Sequence, residues 1–90
     1  MEQQIQIQKL SKAELEELAV KSWPIWEKEV SNFDWFYDSE EQCLILEGEV
    51  EVKTAQETVS IRPGDFVTFK KGLSCKWDVK KPVRKHYRFL

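Results

Sequence analysis

Histidine is almost missing from this 90-residue chain: His86 is the only one. Cysteine, glycine and proline are sparse as well, at two, three and three residues. A lone imidazole excludes a histidine-rich transition-metal centre of the usual kind. Two cysteines are too few for a disulfide scaffold and point to free thiols in a reducing, cytoplasmic setting. No basic excess exists either. Fourteen Lys and Arg stand against sixteen Asp and Glu, a net charge of −2. Nucleic acid is therefore not the expected partner, because no excess of basic residues is available to neutralise phosphates. Long hydrophobic runs are absent too. The longest, Cys43 to Leu46, falls far short of the ~20 residues a membrane helix needs. The opening MEQQIQIQKL has neither a basic start nor an apolar core, so it reads as no signal peptide and no membrane partner is expected. What is abundant is aromatic surface: 12% of residues, including four Trp.

The length predicts a single domain near the small end of what folds alone. One helix is signalled, from Ser11 to Val20. Ser11 with Glu14 three residues on makes a capping box, and Leu15, Leu18 and Ala19 share a face. Pro24 ends it near Lys21 or Ser22. From there the period changes to two. Strands are expected at Phe33–Tyr37, Gln42–Glu47, Gly48–Lys53, Thr58–Ile61, Phe66–Phe69, Ser74–Val79 and Val83–Phe89. Pro63-Gly64-Asp65, Lys71-Gly72 and Lys81-Pro82 mark the turns between them. Short strands at 8–12-residue spacing argue for an all-β sandwich or barrel. No gap is long enough for the helices of a doubly wound sheet.

Two half-motifs give the barrel a family resemblance. Glu41, six residues (QCLILE), then Gly48 resembles the end of the first cupin motif. Gly64, five residues (DFVTF), then Lys70-Lys71-Gly72 and Cys75 resembles the second. With W-P-I-W, F-D-W-F-Y-D, C-L-I-L-E-G-E-V and V-R-K-H-Y, the chain resembles small single-domain cupins of unassigned function, grouped with the cupin domain of ureidoglycine aminohydrolase. The resemblance implies a double-stranded β-helix, an RmlC-like jelly-roll barrel open at one end, with a strand/helix extension over 1–32 and a barrel core over 33–90. It also implies which positions would hold a metal, and there the chain departs from the family. Trp35 and Tyr37 stand at the His-x-His positions, and Cys75 stands at the second-motif His. Only Glu41 keeps its identity. No metal cofactor is expected, and the remaining option is a divalent ion near Glu41 and Cys75, with Cys43 as a further sulfur.

Alternation along the strands defines an expected interior. If Glu41 points inward, so does Cys43. Cys75 and Trp77 share a face, as do Trp35 and Tyr37. In the last strand the more polar set, Arg84, His86 and Arg88, is placed outside as surface residues. That leaves Lys85 and Tyr87 inside, with Glu41 as the partner Lys85 needs once buried. The expected binding residues are Trp35, Tyr37, Glu41, Cys43, Cys75, Trp77, Lys85 and Tyr87. They describe an aromatic-walled small-molecule site, against the plainer reading of a barrel plugged by its own side chains. Trp23 and Trp26 are expected to close one end of the barrel or cover a sheet edge.

Three functions compete. The first is a module that binds a small organic molecule without the usual histidine metal site. The second is a metal-dependent or cysteine-assisted enzyme of the aminohydrolase or isomerase type, whose thiol needs a neighbouring base or cation. The third is a structural role as a homodimer formed along an exposed edge at Ile5–Leu10. The basic run Lys70-Lys71 and the cluster Lys80-Lys81, Arg84-Lys85 read as solvated turn charges, or more sharply as an anion site.

Overall fold

The structure, a computed structural model, describes residues 4–90; residues 1–3, the start of the expected extension, lie outside the described residues. Those described begin with strand β1 (Ile5–Gln8), helix α1 (Lys12–Glu17) and a single 3-10 turn at Val20–Ser22. Six strands follow: β2 (Ile25–Lys28), β3 (Ser31–Phe36), β4 (Glu41–Lys53), β5 (Thr58–Ile61), β6 (Phe66–Phe69) and β7 (Ser74–Phe89). All pairing is antiparallel, in the order β1-β6-β4-β7-β2, with β3 also on β7 and β5 on β4. This is the expected all-β jelly-roll barrel with one short N-terminal helix.

The helix is shorter than its hydrophobic spacing implies. Its start is fixed by the capping box: Glu14 N–H donates to Ser11 Oγ at 3.1 Å, and Ser11 N–H donates to Glu14 Oε1 at 2.9 Å. Its end comes at Leu18, because Ala19 takes a left-handed conformation (φ 54°) and turns the chain. Leu15 and Leu18 then pack on a small cluster of Val20, Trp23 and Phe66 outside the main core.

Two strands are longer than the turn signals imply. The segments Gln42–Glu47 and Gly48–Lys53 form one bent strand, β4, and the segments either side of Pro82 form one strand, β7. The two pair along nearly their whole length, with register shifts between Ile45 and Val50. Gly48 is the pivot. It has φ +105°, and a Cβ there would lie 2.5 Å from the Pro82 carbonyl oxygen and 2.6 Å from Val83 Cα. Pro82, with no N–H to give, sits where the ladder is already interrupted. The Gly and Pro therefore mark a shared bend rather than strand ends, and this bend lets one pair of strands serve both halves of the barrel.

Two segments before residue 33, β1 and β2, are built into the sheet. β1 pairs with β6 at the sheet edge, and β2 pairs with β7 so that Trp26 stands opposite Lys85. No strand is expected at 25–28 from the sequence, because four residues behind a proline carry too short a pattern. The core combines aliphatic residues, Val50, Val52, Ile61, Val67 and Val79, with aromatics, among which Tyr37 stacks on Phe69 with ring centres 4.8 Å apart.

Candidate functional site

The aromatic end of the barrel is not filled. A cavity of about 250 Å³ remains there, lined by Trp26, Phe33, Trp35, Tyr37, Glu41, Trp77, Lys85, Tyr87 and Phe89. The volume exceeds the ~150 Å³ that accommodates a benzene and approaches the ~300 Å³ lower bound of drug-sized sites. Register explains the grouping. On the β4–β7 ladder, Glu41 faces Phe89, Cys43 faces Tyr87 and Ile45 faces Lys85, all on one face. On the β3–β7 ladder, Phe33 faces Trp77 and Trp35 faces Cys75.

At the floor of the cavity lies an ion pair. Lys85 Nζ donates to Glu41 Oε2 at 2.9 Å, and both side chains are only 5% exposed. The ammonium also sits 4.7 Å from the centre of the Trp77 ring, 5.0 Å from Trp26 and 5.9 Å from Phe69. Negative ring faces stabilise a desolvated cation, so this lysine is compensated on several sides. Such compensation is needed, because a buried charge without a partner is costly.

Six of the eight residues expected from strand phase line this cavity; the two cysteines do not. Cys43 is fully buried within the core cluster, its short side chain covered before it reaches the open space. Cys75 is buried against a shallow surface groove shared with Asp34, Lys53 and Ser74 instead. Trp35 is 48% exposed, so it forms the rim rather than an enclosed wall. Trp77 is deeper than expected: Phe33 lies parallel to it, Trp26 meets it edge-on, and Lys85 covers it. Neither face is free to receive a ligand.

Three lining residues, Trp26, Phe33 and Phe89, lie outside the expected set. Trp26 enters the cavity because residues 25–28 form β2, a strand with no local signal. Phe33 and Phe89 carry the right parity, matching Trp35 and Lys85 respectively, so period two alone would have found them. His86, expected on the surface, is instead buried on the outer face, where Nδ1–H donates to the Trp23 carbonyl at 2.9 Å. The N-terminal segment covers it there. The basic residues expected in turns are paired, and three of them lie within β7: Lys80 with Asp78 at 2.7 Å, Lys81 with Glu49 at 3.9 Å and Arg84 with Glu27 at 3.3 Å, while Lys70 meets Glu40 at 3.3 Å. That pairing leaves little for an anion site.

The cysteines are free thiols, and burial pushes both towards the protonated form. Cys43 is raised from an ordinary 9.0 to about 12, chiefly by desolvation, although the Lys85 charge opposes it. Cys75 is raised to about 11, again chiefly by desolvation. Desolvation, with the Glu41 charge, likewise drives the Tyr37 hydroxyl well above the usual tyrosine range. The Trp77 Nε1–H is buried without a hydrogen-bond partner. Neither sulfur is thus activated as a nucleophile at neutral pH.

The four positions at which cupins carry metal ligands can be tested against this geometry. The Trp35 indole offers no lone pair for coordination. Cys75 does not line the cavity and faces the surface groove instead, which leaves the Tyr37 hydroxyl as a single further oxygen. The Glu41 carboxylate already faces an ammonium at 2.9 Å. Among the described residues no three His, Cys, Asp or Glu side chains converge to hold an ion. This donor set does not fit a divalent metal.

Comparison with known proteins agrees with the fold and the resemblance. The family of EutQ-like cupin domains matches residues 15–87. A DUF861 family protein of Thermotoga maritima is 55% identical, with a TM-score of 0.93, and the match covers 96% of this chain and 99% of that one. An ethanolamine utilization protein Q of Salmonella typhimurium, described as putative, is 28% identical with a TM-score of 0.66 over 72% of this chain and 53% of that one. The EutQ protein of Clostridium difficile is 21% identical with a TM-score of 0.68, over 94% and 66% of the two chains. No curated protein matches. With its jelly-roll barrel, its two half-motifs in register and a family match over most of its length, the chain belongs to the EutQ-like cupin domain family.

Proposed function

We propose that this cupin binds a small planar organic molecule in the open end of its barrel, without a metal ion. The observation that carries this reading is the cavity of about 250 Å³, walled by seven aromatic side chains and floored by one ion pair. Sites for small molecules have this makeup: mostly apolar walls with a few placed polar groups. Trp35 is the stacking platform, because its exposed position at the rim leaves a ring face available, whereas Trp77 is covered. Glu41, with only one carboxylate oxygen paired to Lys85, orients the polar end of the ligand, and Tyr37 borders the same space. The two free thiols support a cytoplasmic setting.

The enzyme alternative has weaker support. A cysteine mechanism needs a thiolate, and both thiols are held protonated. Metal-assisted hydrolysis needs donors that this site does not assemble.

Fluorescence titration of the purified protein with benzamide, indole and a panel of ring-bearing metabolites tests the proposal. At least one ring compound is expected to quench tryptophan emission saturably at or below millimolar concentration. Trp35→Ala is expected to weaken that binding about tenfold or more, the loss of a buried aromatic contact. Absence of saturable quenching by every compound, or binding that Trp35→Ala leaves unchanged, would refute it.

A further inference from the structure

The Glu41–Lys85 pair occupies the one position where the chain keeps a cupin metal ligand. An ammonium nitrogen has four directions. In Lys85 one is the side-chain stem, and one N–H is donated to Glu41 at 2.9 Å. The rings of Trp77 and Trp26 flank the remaining sides at 4.7 and 5.0 Å. Trp26 reaches this place because β2 pairs with β7 in the register that sets it opposite Lys85. A compact cation therefore lies against the carboxylate, tethered by its own strand and caged by two indoles.

We propose that the Lys85 ammonium is the resident cation of this site: it takes the place beside Glu41 that a metal would need, shuts divalent ions out, and leaves a charge-neutral pocket that selects uncharged planar ligands. Exclusion follows from Coulomb repulsion. A divalent ion approaching Glu41 within bonding distance would come almost into contact with a fixed positive charge in a poorly solvated space. Ligand selection follows from neutrality. A charged ligand would add an uncompensated charge to a pocket whose own two charges already cancel. This last step rests on the ligand-binding reading above; the exclusion of metal does not.

Zinc and manganese titrations of the wild-type protein, read by calorimetry, test the first part without any variant. No stoichiometric uptake at the site is expected; one equivalent taken up by wild type and lost in Glu41→Gln would overturn the proposal. Thermal melts test the resident cation. Lys85→Ala is expected to melt about 10 °C or more below wild type, since it strands a buried carboxylate. Ethylammonium at millimolar concentration should recover part of that loss, sodium at equal ionic strength should not, and wild type should not respond. If Lys85→Ala does not fold, Lys85→Met, which keeps the apolar stem, replaces it. A variant that folds and shows no preference for ethylammonium over sodium contradicts the claim.

The ligand class is read from an isosteric series of benzamide, benzoate and benzamidine. Wild type should bind benzamide about tenfold more tightly than either ion. Lys85→Met should reverse the order in favour of benzamidine, and Glu41→Gln in favour of benzoate. Binding without these preferences overturns the selection rule and leaves the binding site standing. Failure of every ring compound to bind overturns both the binding site and the selection rule, and the metal titrations and melts then decide the resident cation alone.

Discussion

Lys85 and Glu41 illustrate how burial turns two ordinary side chains into a single unit. Each alone would be a stranded charge, and together they neutralise one another at 2.9 Å among aromatic rings. Removing one partner of such a pair costs about 3–5 kcal/mol, whereas replacing both by apolar groups of similar volume costs far less. Urea denaturation should therefore show Glu41→Leu and Lys85→Met each strongly destabilising. The double variant should be more stable than either single. A double variant that loses the sum of the two single losses would show that the charges do not depend on one another. This pairing was legible in the sequence because Glu41 shares its parity with the neighbouring Cys43 and Ile45, and Lys85 shares its parity with Val83, Tyr87 and Phe89. Trp26 was not, because its placement depends on a strand pairing between residues about sixty positions apart, which no local pattern encodes.

At the scale of elements, local signals placed the short strands β5 and β6 but missed β2 and split the two long strands. β5 and β6 fall where alternation between turn residues puts them, and the Ser11–Glu14 capping box starts α1 where the sequence marks it. Gly48 and Pro82 look like breaks because glycine and proline usually end strands, yet here they meet across a continuous ladder and bend it. The bend has no local signature, since its cause is the close approach of the two backbones. Gly48→Ala combines a left-handed φ with a Cβ 2.5 Å from a carbonyl oxygen, and should cost about 3 kcal/mol or more. Gly72→Ala shares a positive φ of 91° but would meet nothing within 4 Å, so about 1–2 kcal/mol is expected from strain alone. Thermal melts of the two variants should rank them in that order, and equal losses would show that the contact with Pro82 is not what holds the bend.

The whole molecule carries its titration behaviour in its core. The Cys43 and Cys75 thiols are raised from 9.0 to about 12 and about 11, and Tyr37 moves the same way. Above about pH 9 the unfolded chain releases its thiol protons while the folded chain keeps them, so the unfolded state binds fewer protons. The stability these groups contribute is complete below that pH and is lost as pH rises towards 11–12. The urea midpoint should fall between about pH 8.5 and 10.5, and Cys43→Ala/Cys75→Ala should make that fall shallower; an unchanged slope would place the thiols in contact with water. The barrel itself, its polarity and its open end were readable from strand number, turn spacing and two half-motifs. The exact lining was not, because period two reports which face a residue takes but not whether its side chain reaches the open space, as Cys43 and Cys75 show.

The four tryptophans provide the direct test of the central claim, that the open barrel end is a ligand cavity. Trp26 and Trp35 line it with accessible ring surface, Trp77 lines it with both faces covered, and Trp23 lies in the separate outer cluster with its Nε1–H donating to the Leu18 carbonyl at 3.1 Å. Indole N–H resonances in a nitrogen-15 correlation spectrum, followed through a benzamide titration, separate these positions. Saturable shifts at Trp26 and Trp35 with Trp23 unmoved are the predicted result; no shift at any indole, or shifts confined to Trp23, would contradict it.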